Sequence, residues 1–288
     1  MKLGTRGSAL ALAQAETVAA AIDGAELETI TTSGDRGFDA SDDKERWVRE
    51  LDDALLEGRV ALAVHSAKDL PAKLAEGIVI AATPTRANPF DVLCGAASLA
   101  ALPEGARVGT SSVRRSAQLR ALREDLQISA LRGNVDTRLA ALAGDDYDAI
   151  VIAMAGLERL GRLGEAGALL DQMVPAAGQG TLAITAREGD AEAIALAAAL
   201  DDPQTHRVLA AERALVAVLD ADCHTPVGAH ATVEGEAMTL IAFVGRADGS
   251  AWLRDELTIS GPTLAPEALG REVGERMLAA GASEVLGR

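Results

Sequence analysis

One short stretch of the sequence combines residues that can bind anions and move protons. Residues 60–71 read VALAVHSAKDLP, an apolar run followed by His65, Ser66, Lys68 and Asp69. The apolar run is typical of a buried strand in a parallel sheet. Open α/β sheets bind their ligands at the carboxyl ends of such strands. Lys68 and Asp69 are therefore the first candidates for a functional site, although a local ion pair on a solvated turn explains them equally well.

Arginine dominates the basic residues of an otherwise acidic chain. The sequence has 23 arginines, 4 lysines and a formal net charge of −16. A guanidinium group binds carboxylate or phosphate through two parallel hydrogen bonds. Arg114 and Arg115 begin a predicted helix, where the helix dipole disfavours a cation unless an anion is present. Six arginines in or beside strand-to-helix turns are predicted to bind an anionic ligand: Arg6, Arg114, Arg115, Arg132, Arg138 and Arg159.

The two cysteines lie in different surroundings. Cys94, in the apolar segment DVLCG, is predicted to be buried. Cys223 lies in the polar loop DADCHTPVG, with His224 and His230 nearby. The loop allows two interpretations, a solvent-accessible thiol and a zinc site. One Cys and two His without a second Cys pair is weak spacing for zinc. Two cysteines also make no disulfide framework, which indicates a reducing compartment.

Alternating strands and helices are predicted to position these residues. Residues 1–22 read as strand Lys2–Thr5, an Arg-Gly-Ser turn and a helix capped by Ser8. The same order recurs at 107–125, and the turn Gly109–Ser112 resembles residues 4–8. Two related α/β domains that face each other across a cleft explain this similarity, as does a chance likeness of short Gly/Ser turns.

Other segments indicate hinges and a third domain. Residues 84–89 (PTRANP) and 175–180 (PAAGQG) are rich in Pro and Gly and read as crossings between domains. Residues 147–161 are predicted to form a buried strand and then a turn that carries Arg159. From about residue 228, strands at 239–245 and 252–260 and a helix at 265–280 predict a small α+β domain.

Charge and hydropathy exclude several classes of function. A strongly negative chain lacks the positive field that collects phosphates, so nucleic acid is not an expected partner. No stretch approaches the length of a membrane span, and the N-terminus does not read as a signal peptide.

Seven motifs follow one another along nearly the full chain. They are GTRGSALALAQA (4–15), AVHSAKDLP (63–71), VGTSSVRRSAQL (108–119), LRGNVDTRL (131–139), AGLERLG (155–161), PAAGQG (175–180) and the Cys223 loop. Together and in this order, they closely resemble one enzyme family, hydroxymethylbilane synthase, also called porphobilinogen deaminase.

The resemblance implies a fold of α/β class with three domains. Two α/β domains like type II periplasmic binding proteins enclose a cleft, and a small α+β domain follows at the C-terminus. The expected boundaries are 1–84 with 182–200 for the first domain, 89–176 for the second and 203–288 for the third. A cytoplasmic monomer is expected.

The resemblance also implies a reaction. The enzyme would join four porphobilinogen molecules head to tail on a covalently bound dipyrromethane, release ammonia at each step, and hydrolyse off hydroxymethylbilane for tetrapyrrole biosynthesis. No metal and no diffusible cofactor are expected. The alternative is a non-enzymatic, cytoplasmic anion-binding or ligand-sensing protein on the same two-domain fold, which would have no need of Cys223.

Residue roles carried over from the family divide into three groups. Asp69 matches the catalytic carboxylate, and Cys223 matches the cysteine that holds dipyrromethane through a thioether. The further cofactor-binding residues are expected to be Ser66, Lys68, Thr110, Ser111, Ser112, Arg114, Arg115, Arg132 and Arg138. The substrate-binding residues are expected to be Arg6, Ser8, Lys44 and Arg159. His65 is expected to be a structural hydrogen-bonding residue.

The sequence departs from the family pattern in the polar loop 34–46, which has the composition of a flexible lid. The family usually has Gly-Gly-Lys-Gly and an aromatic residue there, whereas this chain has Asp-Lys-Glu-Arg-Trp at 43–47. Lys44 aligns with the lid lysine without its flanking glycines. Ser33 stands where the family has an arginine.

Overall fold

The strands of the chain are distributed over three sheets. The structure is a computed structural model that describes residues 1–33, 48–144, 146–222, 224–261 and 265–288. Two sheets have five strands each and are covered by helices, and the third has three antiparallel strands. The predicted fold class, two α/β units and a small α+β unit, is confirmed.

The first sheet is built mainly from the N-terminal part of the chain. Its elements are β1 (Lys2–Thr5), α1 (Ala9–Ala19), β2 (Glu26–Thr29), α2 (Arg49–Leu56), β3 (Leu62–Ser66) and β4 (Ile78–Ala82). The order is β2-β1-β3-β10-β4, where β10 is a later strand that runs antiparallel to β3 and β4. Its core is aliphatic, because Leu3, Leu62 and Ile184 are fully buried in it.

The second sheet repeats this arrangement. Its elements are β5 (Asp91–Cys94), β6 (Arg107–Gly109), α3 (Val113–Leu122), β7 (Gln127–Ser129), α4 (Val135–Ala143), β8 (Ala149–Ala153), α5 (Met154–Arg159) and β9 (Ala168–Leu170). The order is β7-β6-β8-β5-β9, and β5 runs antiparallel to both of its neighbours. In both sheets the antiparallel strand follows a crossing between the units, so the predicted internal similarity extends to topology.

The chain returns to the first sheet and then forms the third unit. The remaining elements are β10 (Leu182–Arg187), α6 (Ala191–Ala198), α7 (Pro203–Val218), β11 (Val227–Glu234), β12 (Ala237–Gly245), β13 (Trp252–Ser260), α8 (Pro266–Ala279) and α9 (Ala282–Leu286). Helices α7 and α8 pack on one face of the sheet β11-β12-β13. No helix in these described ranges is long and apolar enough to cross a membrane.

Two local expectations differ from the structure. The residues after β8 form helix α5 rather than a turn, because Leu157 is fully buried and anchors a helical turn against the second unit. Strand β11 was not expected, because its Gly- and Ala-rich residues show weak alternation and pair with β12 across the sheet. The domain boundaries stay a prediction.

Candidate functional site

The stretch that carries Lys68 and Asp69 is a strand end followed by a tight turn. Strand β3 ends at Ser66, and Ala67–Asp69 form one turn of 3-10 helix. His65 is buried, and its Nε2 lies 2.9 Å from the hydroxyl of Thr185 on β10. Burial, assisted by Arg6, lowers the pKa of His65 to about 4. His65 is thus a neutral side chain within the sheet, as its expected structural role requires.

A cavity of about 570 Å³ opens beside this turn, between the first and second sheets. That volume suits a small organic ligand. Among the described residues, its lining contains six basic side chains and no carboxylate, although the whole chain is strongly acidic. The basic side chains are Arg6, Lys68, Arg115, Arg132, Arg138 and Arg159. Ser8, Ser66 and Ser111 also line this cavity.

Helix starts and backbone carbonyls position several of these side chains. The hydroxyl of Ser8 accepts a hydrogen bond from the Ala11 N–H and caps α1, as expected. The Nε of Arg138 donates to the Gly133 carbonyl at 2.9 Å, and Nη2 of Arg159 donates to the Gly180 carbonyl at 2.7 Å. Each guanidinium retains further N–H donors beyond these contacts.

Burial has an electrostatic consequence for the same arginines. It lowers the pKa of Arg138 to about 10, with Arg115 acting in the same direction, and it also lowers the pKa of Arg159. Both groups remain cationic at neutral pH. Because burial disfavours the charged forms of both arginines, and the charge of Arg115 adds to this cost at Arg138, binding of an anion would relieve part of the cost.

Arg114 and Arg115 share a carboxylate that the sequence interpretation missed. Asp91, at the start of β5, accepts hydrogen bonds from Arg114 Nη2 at 2.8 Å and from Arg115 Nε at 2.9 Å and Nη2 at 2.7 Å. Burial alone would raise the pKa of Asp91, but the two arginines outweigh it and hold that pKa well below its usual range. The sequence interpretation expected a ligand to supply the anion at this helix start, whereas the structure shows a carboxylate of the chain itself there.

Gln179 connects this ion cluster to Lys68. Its Nε2 donates to Asp91 Oδ1 at 2.9 Å and to the Pro89 carbonyl at 2.7 Å. Its Oε1 accepts from Lys68 Nζ at 3.4 Å. Burial, followed by the charge of Arg115, lowers the pKa of Lys68 to about 8. Lys68 is thus held beside the cluster without a direct ion pair to Asp91.

A second cavity of about 240 Å³ lies on the other side of Lys68 and Arg115, which line both cavities. Asp69 lines this smaller cavity, as do Ser112 and Arg114. Asp222 and Thr225 line it from the loop that contains position 223. The predicted carboxylate therefore lies in the same small space as the described ends of the cysteine loop.

Among the predicted site residues that the structure describes, Thr110 alone lines neither cavity. Thr110 is buried, and its hydroxyl accepts from the Ser112 N–H at 3.2 Å, so it shapes the turn rather than facing the cavities. Lys44 and Cys223 lie outside the described residues. Cys94 is buried in β5, as expected, and burial raises its pKa to about 11. No group of three metal-ligating side chains occurs in the described parts of the chain.

Sequence reasoning missed Asp91, Gln179 and Gln14. Gln14 is buried on α1 and lines the larger cavity. The PAAGQG crossing marked the position of Gln179 without indicating its contacts. Asp91 follows the PTRANP hinge by two residues, and only the topology brings it beside Arg114.

Family models match both halves of the chain. The model described as porphobilinogen deaminase, dipyrromethane cofactor binding domain, matches residues 1–195, and the model for the C-terminal domain of the same enzyme matches residues 206–279. The chain belongs to the porphobilinogen deaminase family. The predicted family is thereby confirmed, and with it the transferase class and the dipyrromethane cofactor.

Curated relatives extend over the whole chain. Proteins named porphobilinogen deaminase from Deinococcus deserti, Roseiflexus castenholzii and Rubrobacter xylanophilus are each 45% identical over 99% of this chain, and the matches cover 97%, 98% and 96% of those proteins. The solved structure of a TRAP periplasmic solute-binding protein from Desulfovibrio salexigens aligns with a TM-score of 0.43 and 9% identity. The alignment covers 70% of this chain and 72% of that protein. The curated names support the enzyme and not the sensing alternative.

The described residues fit a ligand with several carboxylates. A cavity lined by six cations and no described carboxylate is suited to bind one. In addition, Arg114 Nε is buried and has no hydrogen-bond partner among the described residues. A buried donor of this kind is costly to leave unpaired.

Proposed function

We propose that this chain joins four porphobilinogen molecules head to tail, releasing ammonia at each step and finally hydroxymethylbilane. The observation that carries the proposal is the pairing of two neighbouring cavities that share Lys68 and Arg115, one lined by basic residues and the other lined by Asp69. Porphobilinogen bears an acetate and a propionate group, so a growing chain accumulates carboxylates. The basic cavity supplies their charge partners.

The proposed binding roles follow from where the side chains lie. Arg6, Ser8 and Arg159 bind the carboxylates of incoming substrate, since they line the larger cavity. The bound pyrrole chain is held by Ser66, Lys68, Ser111, Ser112, Arg114, Arg115, Arg132 and Arg138. Thr110 acts on this group through the turn whose N–H it bonds. Lys44, outside the described residues, remains a proposed substrate contact from its alignment with the lid lysine.

Asp69 is proposed to act on the charge that develops during reaction. When the C–N bond of the aminomethyl group breaks, ammonia leaves and the pyrrole nitrogen lone pair stabilises the cationic azafulvene. A carboxylate fixed near the pyrrole N–H groups stabilises that charge in a site with little water. The same carboxylate can transfer a proton at the aminomethyl nitrogen or at the ring carbon that loses its hydrogen.

Cys223 is proposed to hold the cofactor through a thioether. When bound, the dipyrromethane supplies the primer, a pyrrole α-carbon to which substrate rings are added. Asp222 and Thr225, on either side of position 223, line the cavity that contains Asp69. This shared lining supports the proposal that a cofactor attached at position 223 lies beside the carboxylate of Asp69.

The unit boundaries and the state of the protein are part of the same proposal. We propose domains at 1–84 with 182–200, at 89–176 and at 203–288, because each contains one sheet and its helices. The larger cavity lies between the first two, where movement of one domain against the other would change access. A cytoplasmic monomer with no nucleic-acid partner is consistent with the net charge of −16.

Intact mass and turnover of Asp69→Asn test the proposal. The wild-type chain from cells that supply porphobilinogen should carry the added mass of two pyrrole units, and Cys223→Ser should not. Asp69→Asn should retain the adduct at least in part but lose about 10²- to 10⁴-fold in turnover, the usual contribution of a positioned acid–base group.

A matched control is Asp171→Asn, at an exposed position outside both cavities, which should be as active as the wild type. A bare wild-type mass would favour the sensing protein, which binds anions reversibly without an adduct. Near-normal turnover of Asp69→Asn would remove Asp69 from the mechanism.

A further inference from the structure

Helix α7 of the third unit contacts the turn that carries Lys68 and Asp69. Leu209 on this helix is almost fully buried in one apolar cluster with Ala67 and Leu70, the residues that flank Lys68 and Asp69. The helix thus covers the apolar side of the turn. No role in the reaction has so far been assigned to α7.

One helical turn further on, α7 makes a polar contact with the same segment. Nη2 of Arg213 donates to the carbonyl oxygens of Pro71 at 2.9 Å and of Ala72 at 2.8 Å. Residues four apart on a helix lie on the same face. Leu209 and Arg213 therefore hold the segment both before and after Asp69.

The contact of Arg213 is electrostatically costly. Its side chain is partly buried, and this burial lowers its pKa. Its partners among the described residues are neutral carbonyls rather than a carboxylate. Hydrogen bonds from a charged donor are stronger than those between neutral groups, so the two carbonyls are firmly held.

Helix α7 also holds a second segment that packs on this turn. A Cβ at Gly178 would lie 2.9 Å from Ala67 Cβ and 3.0 Å from the backbone nitrogen of Lys68. The crossing segment 175–180 therefore packs directly on the turn. The Gly178 N–H donates to Glu212 Oε2 at 2.6 Å. Glu212 precedes Arg213 on α7, so the helix holds both the turn and the segment packed against it.

From this geometry we infer that Arg213 is a positioning residue for the reaction: it fixes the turn that presents Lys68 and Asp69 to the cavities. The inference rests on the proposed role of Asp69. A small displacement of a catalytic group, of about 1 Å, can cost about 10²-fold in rate. Because the charge that Asp69 stabilises develops only in the transition state, the loss should appear in kcat rather than in KM.

The test compares Arg213→Met, Arg213→Lys and Arg207→Met in the cofactor-loaded enzyme. The methionine keeps the apolar stem of residue 213 and removes its donors, whereas lysine restores a charged donor. Arg207 is exposed on the same helix and serves as the matched control. We expect kcat of Arg213→Met to fall about 10- to 100-fold, while its KM stays within about twofold of the wild-type value. Arg213→Lys should recover at least a third of wild-type kcat, and Arg207→Met should match the wild type.

Other outcomes overturn the inference. A merely structural role would lower the unfolding midpoint while the folded, loaded enzyme kept its normal kcat. An equal loss in Arg207→Met, or a rise in KM at constant kcat, would also contradict it. Should Arg213→Met not fold, Arg213→Gln is measured in its place. Inactive Asp69→Asn with normal Arg213→Met would reject only this inference, whereas active Asp69→Asn would reject the proposed function itself.

Discussion

Replacement of Asp91 by asparagine tests whether Arg114 and Arg115 are held by the protein itself. Asp91 is 1% exposed and accepts from both arginines and from Gln179 within 2.9 Å. Asparagine has the same shape but no charge, so the variant leaves two guanidinium groups buried without a carboxylate. Removal of one partner from a buried ion pair costs about 3–5 kcal/mol.

The loss is measured by urea unfolding of the cofactor-free protein, followed by circular dichroism. With a slope of about 3 kcal/mol per molar urea, a loss of 3–5 kcal/mol lowers the midpoint by about 1–1.7 M. The control is Asp136→Asn, which removes an exposed partner of Arg162. Exposed pairs contribute at most about 1 kcal/mol, so the midpoint should change by less than about 0.3 M.

A shift below about 0.3 M in Asp91→Asn would refute this reasoning. The fold would then not depend on a carboxylate beside the two arginines, and the ligand-binding role that the sequence interpretation gave them would need no partner within the chain. A large shift in Asp136→Asn as well would show that loss of any carboxylate in this unit is destabilising, and Asp91 would have no special place.

Three other side chains give further predictions. Lys68 has a pKa of about 8 and loses its charge above that pH, so kcat/KM should fall as pH rises through 8, and Lys68→Arg should shift the fall to higher pH. Buried His65 has a pKa of about 4 in the folded protein, against about 6.5 in the unfolded chain. Because the unfolded chain binds the proton more tightly, about 3 kcal/mol of stability should be lost as pH falls from 6.5 to 4. Urea titrations of His65→Gln at several pH values should show a smaller loss. Glu212→Gln breaks a buried pair with Arg86 and should lower the free energy of unfolding by about 3–5 kcal/mol, whereas Glu57→Gln at an exposed pair should change it little.

Local signals predicted the elements that carry the site. Ser8 was recognisable as a helix cap because a hydroxyl before an apolar helical pattern satisfies a free N–H, and it caps α1 as expected. Ser112 caps α3 in the same way, although the sequence interpretation recognised only the hydroxyl-rich turn around it. The strand end at Ser66 followed from a single apolar run. Strand β11 was missed because its pairing with β12 depends on tertiary contact rather than on its own alternation.

The arginines of the cavity were predictable by residue type, but their partners were not. Arg138 and Arg159 contact backbone carbonyls of Gly133 and Gly180, and no residue type signals such a contact. Asp91 precedes Arg114 by 23 residues and reaches it because β5 enters the sheet antiparallel beside β8. This contact between Asp91 and Arg114 depends on the order and direction of the strands, which the sequence pattern did not predict.

One carboxylate between two guanidinium groups does more than neutralise charge. Asp91 stays ionised because its pKa is held well below the usual range, so Arg114 and Arg115 keep one uncompensated positive charge in a fixed geometry. If a ligand carboxylate binds there, as we propose, it meets side chains that are already ordered, and little side-chain entropy is lost on binding. Asp91→Asn adds one positive charge to the cluster, yet we expect it to retain less cofactor by intact mass, because the arginines lose that fixed geometry. A higher retained fraction would mean that net charge, rather than preorganisation, governs binding at this cluster.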